Sequence, residues 1–579
     1  MATNVTMPKL GLTMETGKIV EWKVAEGGEV KQGEILLVVE TEKITYEVEA
    51  PESGLLHIIV PQEGEVPVAE LIGMIAADKA EYDSVAAGGA PAAAAAPAAA
   101  KAPAPASAGA PSPADSVPAA GDVHIVVIGG GPGGYPAAIR AAQLGAKVTI
   151  IEKDQFGGTC LNRGCIPTKS LLHSAGIYHG AKNAEVFGVK ASGVVLDFPA
   201  VMKRKNTVVK QLVGGLGGIL KSHGMKIVNG TGTLLDATTV KVVETGEEIK
   251  ADKIIIATGS VPSRVPIDGI DQDGVITSDE ALNLEKLPKS ILIIGGGVIG
   301  MEFAQVLSRM DVEVTVVEML PQILPYEDAE IAAAFANLIK KEGVEIHTNI
   351  SVSKIAAKGK KKLVTFGDKQ KEVDLVLVAV GRSPYTEGLG LDKAGIAMDK
   401  NFIKVNEYLE TSAKGVYAIG DVIGNFMLAH VATAEGECAA LNALGQPHRM
   451  NYRSTPRAVY TTPEVASVGL SEADAKKQYG DVQIGRFPFV GCGKALVINE
   501  TNGLVKIIAD KKYGEVLGVA ILGPHATDLI NEAALAIQME ATFEEIAHTI
   551  HAHPTIAESI MEAALDVDAK AIHMPKKRK

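Results

Sequence analysis

The stretch DVHIVVIGGGPGGYPAAIRAAQLGAKVTIIEK (122–153) runs a continuous apolar strand into Gly129-x-Gly131-x-x-Gly134. A helix with the apolar spacing of AAIRAAQLG follows, and a second strand, KVTIIE, ends in Glu152. Each part has a physical task. The glycines allow a tight turn and close backbone approach to a pyrophosphate, the helix N-terminus favours the anion, and the acid takes ribose hydroxyls. Pro136 falls in the first helical turn, where a missing N–H costs little. The arrangement returns in SILIIGGGVIGMEFAQVLSRMDVEVTVVEML (290–320), with Gly295-x-Gly297-x-x-Gly300 and Glu318. Two copies predict an α/β chain with two Rossmann-like domains and two bound dinucleotides. Glu318 suits free 2′ and 3′ hydroxyls and repels a 2′-phosphate, and no Arg follows in MLPQILPYED, so the nicotinamide is predicted as NAD rather than NADP. IIIATGS (254–260), VAVGRSP (378–384) and VYAIGD (416–421) each read as a further strand ending in a glycine turn.

At 579 residues and 47% hydrophobic content, the chain has room for several domains. Its net charge of -13 excludes a general attraction to nucleic acid or anionic lipid. The basic end, MPKKRK, reads as a solvated tail over 573–579. The start, MATNVTMPKL, has neither the apolar core of a signal peptide nor an Arg-rich transit pattern, and no uncharged run reaches the roughly 18 to 20 residues of a membrane span. The expectation is a cytoplasmic protein with no membrane segment. From 79 to 120 the composition collapses to Ala, Pro, Gly and Ser, which predicts a flexible, semi-stiff linker rather than a core. Before it, GKIVEWKVAEGGEVKQGEIL and GLLHIIVPQEGEVPVAELI echo each other at an offset of 36, as in Gly28-Glu29-Val30 and Gly64-Glu65-Val66. Such alternating halves predict a small all-β domain, a flattened sandwich or barrel, over 1–78. Two strand-like runs between the halves meet at Glu42-Lys43.

GGTCLNRGCIPTK (157–169) holds Cys160 and Cys165, and the chain has only two other cysteines, Cys438 and Cys492, read as buried small side chains. Three roles compete for the close pair. Zinc needs about four N or S donors, and no second Cys or His cluster supplies them. A structural staple would close a loop too short to contribute much, in a compartment that reduces disulfides. A redox couple fits best, because the pair follows the first dinucleotide unit at a predicted helix start, where the dipole, Arg163 and Lys169 favour a thiolate.

Residues 1–78 resemble a lipoyl domain, in which the lysine at this hairpin tip, Lys43, carries lipoic acid. Biotin carriers place Met on both sides of that lysine, whereas Lys43 lies between Glu42 and Ile44. The usual lipoyl triplet is Asp-Lys-Ala, so Glu-Lys-Ile is a departure. Residues 121–572 resemble the flavin disulfide reductases, dihydrolipoamide dehydrogenases in particular, through GGGPGGY, GGTCLNRGCIPTK, IIIATGS, GGGVIGMEF, VGRSP, YAIGD and HAHPTIAES. The resemblance implies an FAD-binding domain (121–265, completed by 385–454), an NAD-binding domain (266–384) and a C-terminal α+β dimerisation domain (455–572). It assigns Gly129, Gly131, Gly134, Glu152, Lys169, Gly230, Thr258, Gly259, Ser260, Gly420 and Asp421 to FAD, and Gly295, Gly297, Gly300, Glu302, Glu318 and Gly381 to NAD. Cys160 is then the sulfur that meets substrate and Cys165 the one facing the flavin. His553, oriented by Glu558, reaches across a homodimer to the other subunit's cysteines, and Lys169 pairs with Glu302 near the flavin. The implied reaction is NAD-dependent oxidation of protein-bound dihydrolipoamide, within a 2-oxo-acid dehydrogenase complex containing a lipoyl-bearing acyltransferase, or with a glycine cleavage carrier protein. Glutathione reductases would want basic residues near Glu318, and mercuric reductases a C-terminal cysteine pair that AIHMPKKRK lacks. Whether the N-terminal domain is a lipoylated carrier or an unmodified tether stays open.

Overall fold

The computed structural model describes residues 2–8, 16–40, 45–62, 64–68, 70–86 and 123–575, in two compact units. Lys43 and most of the Ala/Pro-rich stretch lie outside the described residues.

The N-terminal unit is a sandwich of two four-stranded antiparallel sheets. One contains strands Thr3–Thr6, Leu71–Ala76, Gly54–Ile58 and Glu29–Val30; the other contains Thr45–Glu49, Ile35–Glu40, Thr16–Trp22 and Glu65–Pro67. The 36-residue echo is visible as matched strands, but the halves interlock. Glu29–Val30, from the first half, pairs with Gly54–Ile58 of the second, and Glu65–Pro67 pairs back with Thr16–Trp22. Apolar residues at alternate positions, Ile19, Leu37, Val39, Leu56 and Ile72 among them, point between the sheets and are fully buried. Ile35–Glu40 and Thr45–Glu49 form the arms of the expected hairpin, with Glu40 opposite Thr45.

Helix α1 (Lys79–Ala86) corrects the expected linker start. Its residues are mostly small and polar, so composition alone merges them with the Ala/Pro run. Tyr82 decides otherwise: its hydroxyl donates to Glu26 at 2.6 Å, while Glu26 also holds His57 at 2.8 Å and the Ile58 N–H at 2.6 Å. The β-unit therefore carries a helix within the stretch expected as linker.

The larger unit contains two five-stranded, all-parallel sheets of one design. The first is ordered Lys226–Asn229, Lys147–Glu152, His124–Ile128, Lys253–Ile256, Val416–Ala418; the second Glu345–His347, Glu313–Val317, Ser290–Ile294, Leu375–Val378, Val275–Ile276. Central strands covered on both faces read as continuous apolar runs, and Ile291, Leu292 and Ile293 have no exposed surface. Each sheet has a three-stranded antiparallel meander in its crossover, Gly232–Lys250 in the first and Val352–Val373 in the second. A five-stranded antiparallel sheet backed by helices Ala526–Gln538 and Glu558–Val567 forms the C-terminal α+β domain. Among the described residues no helix is long and apolar enough to cross a membrane.

Candidate active site

The two glycine turns sit where their first strands reach helices α2 (Gly134–Gln143) and Val298–Arg309. Within each triplet the glycines answer to different needs. A Cβ on Gly134 would run into the Gly129 carbonyl, and one on Gly300 into the Gly295 carbonyl, so the third glycine is demanded by helix-to-strand packing. Gly129 and Gly295 have φ of 107° and 106°, which side chains rarely adopt. The middle glycines are different. A Cβ on Gly297 would meet no protein atom within 4 Å, and one on Gly131 only the Gly158 Cα at 3.8 Å. Nothing in the protein needs that room. It is a cradle that a side chain would fill, and an adenine dinucleotide's pyrophosphate fits it. Glu152 and Glu318 are placed alike beside these turns: each is buried and accepts from the turn's second glycine, Gly130 at 2.7 Å and Gly296 at 2.6 Å. Their second oxygens accept from Asp154 at 2.8 Å and Leu320 at 2.7 Å, which fixes each carboxylate where ribose hydroxyls can still donate to it. The residues present therefore fit two dinucleotides.

This contrast carries a prediction. Gly297→Ala should leave the thermal midpoint of the protein unchanged while raising KM for NAD about tenfold or more, as for one lost hydrogen bond to a charged group at about 1.5 kcal/mol. Gly300→Ala should do the reverse and lower the midpoint. Calorimetry beside an NAD titration separates the two; equal effects would contradict the cradle.

The cysteines lie on two successive helices. Helix α3 (Gly158–Arg163) carries Cys160, and α4 (Cys165–Lys182) opens on Cys165, with Gly164 between them. Both are free thiols in this structure, and Cys160 is hydrogen-bonded to Cys165. The pair is polarised. The Cys160 hydrogen bond lowers the Cys165 thiol to about 7, helped by Lys169 one turn along α4 and opposed by burial and Glu302. The same hydrogen bond, burial and the Cys165 charge push Cys160 strongly upward. The reduced couple thus holds one thiolate and one proton near neutrality.

Lys169 Nζ donates to both oxygens of Glu302, each at 2.9 Å, and sits 4.5 Å from the centre of the Tyr460 ring. Glu302, only 3% exposed, also accepts from the Tyr460 N–H at 3.0 Å. Three parts of the chain, 133 and 158 residues apart, meet at this one carboxylate. Around the remaining glycine turns, Thr258 donates to the Tyr385 carbonyl at 2.8 Å, and Ser260 donates to Asp421 at 2.5 Å. Gly259, Gly381 and Gly420 have φ of 70°, 112° and 73°. Gly230 ends the outer strand and donates to the Glu152 carbonyl at 2.9 Å.

His553 and Glu558 form a pair of their own, Nδ1 to Oε1 at 2.9 Å, and Glu558 is anchored by the Thr555 N–H at 2.8 Å. Burial works to raise the Glu558 carboxyl, yet these hydrogen bonds hold it below the ordinary range. His553 is 79% exposed in the single chain, and no hydrogen bond or ion pair joins it to the cysteines. The chain alone does not bring the two pairs together. His551 is separately bound, to Glu532 at 2.9 Å and the Thr549 carbonyl at 2.8 Å. Cys438 and Cys492 are buried, against the carbonyls of His448 and Thr555.

Two residues were not singled out by the sequence. Arg382, inside VGRSP, donates to the Ser260 hydroxyl and carbonyl, each at 2.7 Å, and to Thr159 at 3.3 Å, joining the Ser260–Asp421 turn to the residue before Cys160. Glu435, 1% exposed, accepts from Gly420 N–H at 2.7 Å and Tyr452 at 2.8 Å and so holds the same turn from below. The sequence around either, a glycine turn at Arg382 and Gly436-Glu437 beside Glu435, gives no sign of these partners.

Residues 123–436 match the family model for pyridine nucleotide-disulphide oxidoreductases, and 455–564 match that family's dimerisation domain. The chain belongs to the pyridine nucleotide-disulphide oxidoreductase family. Residues 3–75 match a third model, described as biotin-requiring enzyme. Among similar proteins is a dihydrolipoyl dehydrogenase of Bacillus subtilis, 44% identical over 477 residues, covering 78% of this chain and 100% of the relative. One from Thermus scotoductus is 45% identical, covering 78% and 98%. Among solved structures, LpdA from Mycobacterium tuberculosis superposes with a TM-score of 0.72 at 30% identity, covering 76% of this chain and 99% of that one. The flavoprotein disulfide reductase RclA from Escherichia coli gives 0.70 at 30% identity, covering 76% and 99%. As a family member the chain is an FAD- and NAD-dependent oxidoreductase with a dimerisation domain and a lipoyl-type domain.

Proposed function

We propose that the chain is a dihydrolipoyl dehydrogenase, oxidising protein-bound dihydrolipoamide to lipoamide with reduction of NAD. The observation that carries this is the polarised cysteine pair of α3 and α4, beside the Lys169–Glu302 ion pair. A dithiol substrate needs a disulfide partner and a base. His553 of a second copy, steadied by Glu558, takes the first substrate thiol proton. The resulting thiolate attacks Cys160 of the disulfide form, the Cys160–Cys165 bond breaks, and Cys165 leaves as thiolate. Its lowered pKa makes it the better leaving group. The second substrate thiol attacks the substrate sulfur of the mixed disulfide, closing the lipoyl ring; Cys160 leaves and takes the proton that His553 holds, and the freed imidazole accepts the second thiol's proton and passes it to solvent. The substrate has lost two electrons and two protons, and the cysteine pair has gained the two electrons. FAD, held at the first glycine turn, would supply the chemistry that passes an electron pair from a dithiol to NAD as hydride. Lys169 and Glu302 keep a balanced charge pair beside Cys165 throughout.

The cradles at Gly131 and Gly297 would hold the FAD and NAD pyrophosphates, Glu152 and Glu318 the riboses, and Asp421 and Ser260 the FAD chain between flavin and phosphate. The N-terminal domain is proposed to carry lipoic acid on Lys43, and the working form to be a cytoplasmic homodimer serving a lipoyl-dependent 2-oxo-acid dehydrogenase or glycine cleavage system. The test is the intact mass of protein from its own cells beside Lys43→Arg, followed by oxidation of free dihydrolipoamide with NAD by both. A lipoyl-sized increment lost in the variant, with free-substrate turnover kept in both, is the expected result. Turnover without any increment would leave a dehydrogenase with a tethering domain; no turnover in either would overturn the reading.

A further inference from the structure

We infer that the outer face of α5 (Phe198–Ser222) is a docking surface for a carboxylate-rich lipoyl-bearing carrier domain presented by another protein molecule; this rests on the function proposed above. Helix α5 packs directly on α3 and α4, the helices that carry Cys160 and Cys165. Within a chain of net charge -13, residues 163–226 hold ten Lys and Arg against only Glu185 and Asp197. Helix α5 itself has five cations and no acid beyond its capping Asp197. One of the five, Lys205, turns inward, is buried and donates to the Leu282 carbonyl at 2.5 Å. Lys203, Arg204, Lys210 and Lys221 are exposed, and none forms an ion pair among the described residues. Neighbouring cations are treated otherwise: Lys182 pairs with Asp311 at 2.7 Å and Lys226 with Glu247 at 2.5 Å.

The arrangement on the helix is what separates this from a solvated charge run. Lys203, Lys210 and Lys221 are spaced by seven and eleven residues, close to two and three turns, so all three share one face. Gly214, Gly217 and Gly218 fall on that face between Lys210 and Lys221, and a Cβ at any of them would meet nothing within 4 Å. Glycine costs about 1 kcal/mol per position in a helix interior relative to alanine, yet among the described residues no atom needs the space it leaves. The result is a side-chain-free stretch between the ammonium groups of Lys210 and Lys221, over which the backbone of a partner can pass closely.

The occupant follows from charge. A carrier delivering dihydrolipoyl groups to this site must approach beside α3 and α4, and unpaired cations along that approach steer and hold carboxylates. The lipoyl-type sequence in this chain shows the character of such cargo, since residues 1–86 hold sixteen Asp and Glu against six Lys and no Arg.

The experiment uses the full chain with FAD bound, in a Lys43→Arg background so that its own lysine carries nothing. Lys203→Glu/Lys210→Glu/Lys221→Glu is compared with the unreversed chain on two substrates: free dihydrolipoamide, and a separately purified, negatively charged lipoyl domain in the dihydrolipoyl form. For the domain, kcat/KM should fall at least tenfold and lose most of its dependence on ionic strength; for free dihydrolipoamide it should stay within twofold. The Lys→Gln triple variant should give a smaller fall of the same kind. Equal losses on both substrates, or no loss on the domain, would overturn the proposal, as would a changed oligomeric mass in sedimentation, which would mean that a second copy covers this face. If the unreversed chain oxidised neither substrate, the failure would lie with the proposed function itself.

Discussion

Cys165→Ser should reduce dihydrolipoamide oxidation by on the order of 10³-fold or more while leaving the protein folded and able to bind its nucleotides. The size of the effect follows from the position of this sulfur. It stands at the first residue of α4, one turn from Lys169, and is the group of the pair that ionises near 7, whereas Cys160 keeps its proton. Serine in its place cannot form the disulfide that the substrate must open. The same electrostatics can be read without turnover. Alkylation of the reduced protein should rise through a midpoint at about 7, and Lys169→Gln should move that midpoint upward, because the variant removes the cation that favours the thiolate and leaves the Glu302 charge that disfavours it. Residual activity of Cys165→Ser above about 1% of the parent, or an unmoved midpoint in Lys169→Gln, would contradict the assignment.

The second large effect is on stability. Lys506 is 1% exposed and reaches Asp328 at 2.9 Å, Glu330 at 2.9 Å and Glu472 at 2.7 Å, with Arg486 bridging Glu330 and Glu472 from the other side. Asp328 is also the cap of helix Ala329–Lys341, so the cluster ties the second parallel sheet's unit to the C-terminal domain. Lys506→Met should destabilise the protein by about 3 kcal/mol, because it leaves the buried Asp328 carboxylate, with Glu330 and Glu472 beside it, without their central cation. Denaturant unfolding at neutral pH measures it. The pH dependence has a definite sign. Burial tends to raise Glu472, but Lys476 and Lys506 outweigh it and bring it to about 2, and Glu330 is lowered by Arg486 and Lys506 against the same opposition. Stability from these carboxylates is present above the ordinary Glu value of 4.5 and is lost as pH falls toward 2. The difference between parent and variant should therefore shrink below about pH 4.5, since protonation removes the repulsion that the variant exposes. A constant difference across that range would rule out the ionic account.

The sequence made both nucleotide sites legible because each is local: strand, glycines, helix and acid follow within about thirty residues, and each step has its own chemical reason. The close cysteine pair and Lys169 as a favouring charge were legible for the same reason, whereas Arg163, expected to act with Lys169, is held by Asp154 instead. What escaped is what the fold assembles from afar. Arg382 reaches Thr159 across 223 residues and Ser260 across 122, and an arginine within a glycine turn carries no sign of either partner. The division of the cysteine segment into two helices at Gly164 escaped because a six-residue helix such as α3 has too few positions to show a period. Helix α1 was hidden by its composition, with Tyr82 the only large anchor in an Ala- and Asp-containing stretch beside a linker.

The exchange of short strands in the N-terminal unit reaches further than its shape. Because Glu29–Val30 completes the second half's sheet and Glu65–Pro67 completes the first half's, a polypeptide cut between the halves yields two pieces that each lack an edge and expose the apolar side of what remains. Either half taken alone would find its missing edge only on a second chain, so the unit stands or falls as one piece.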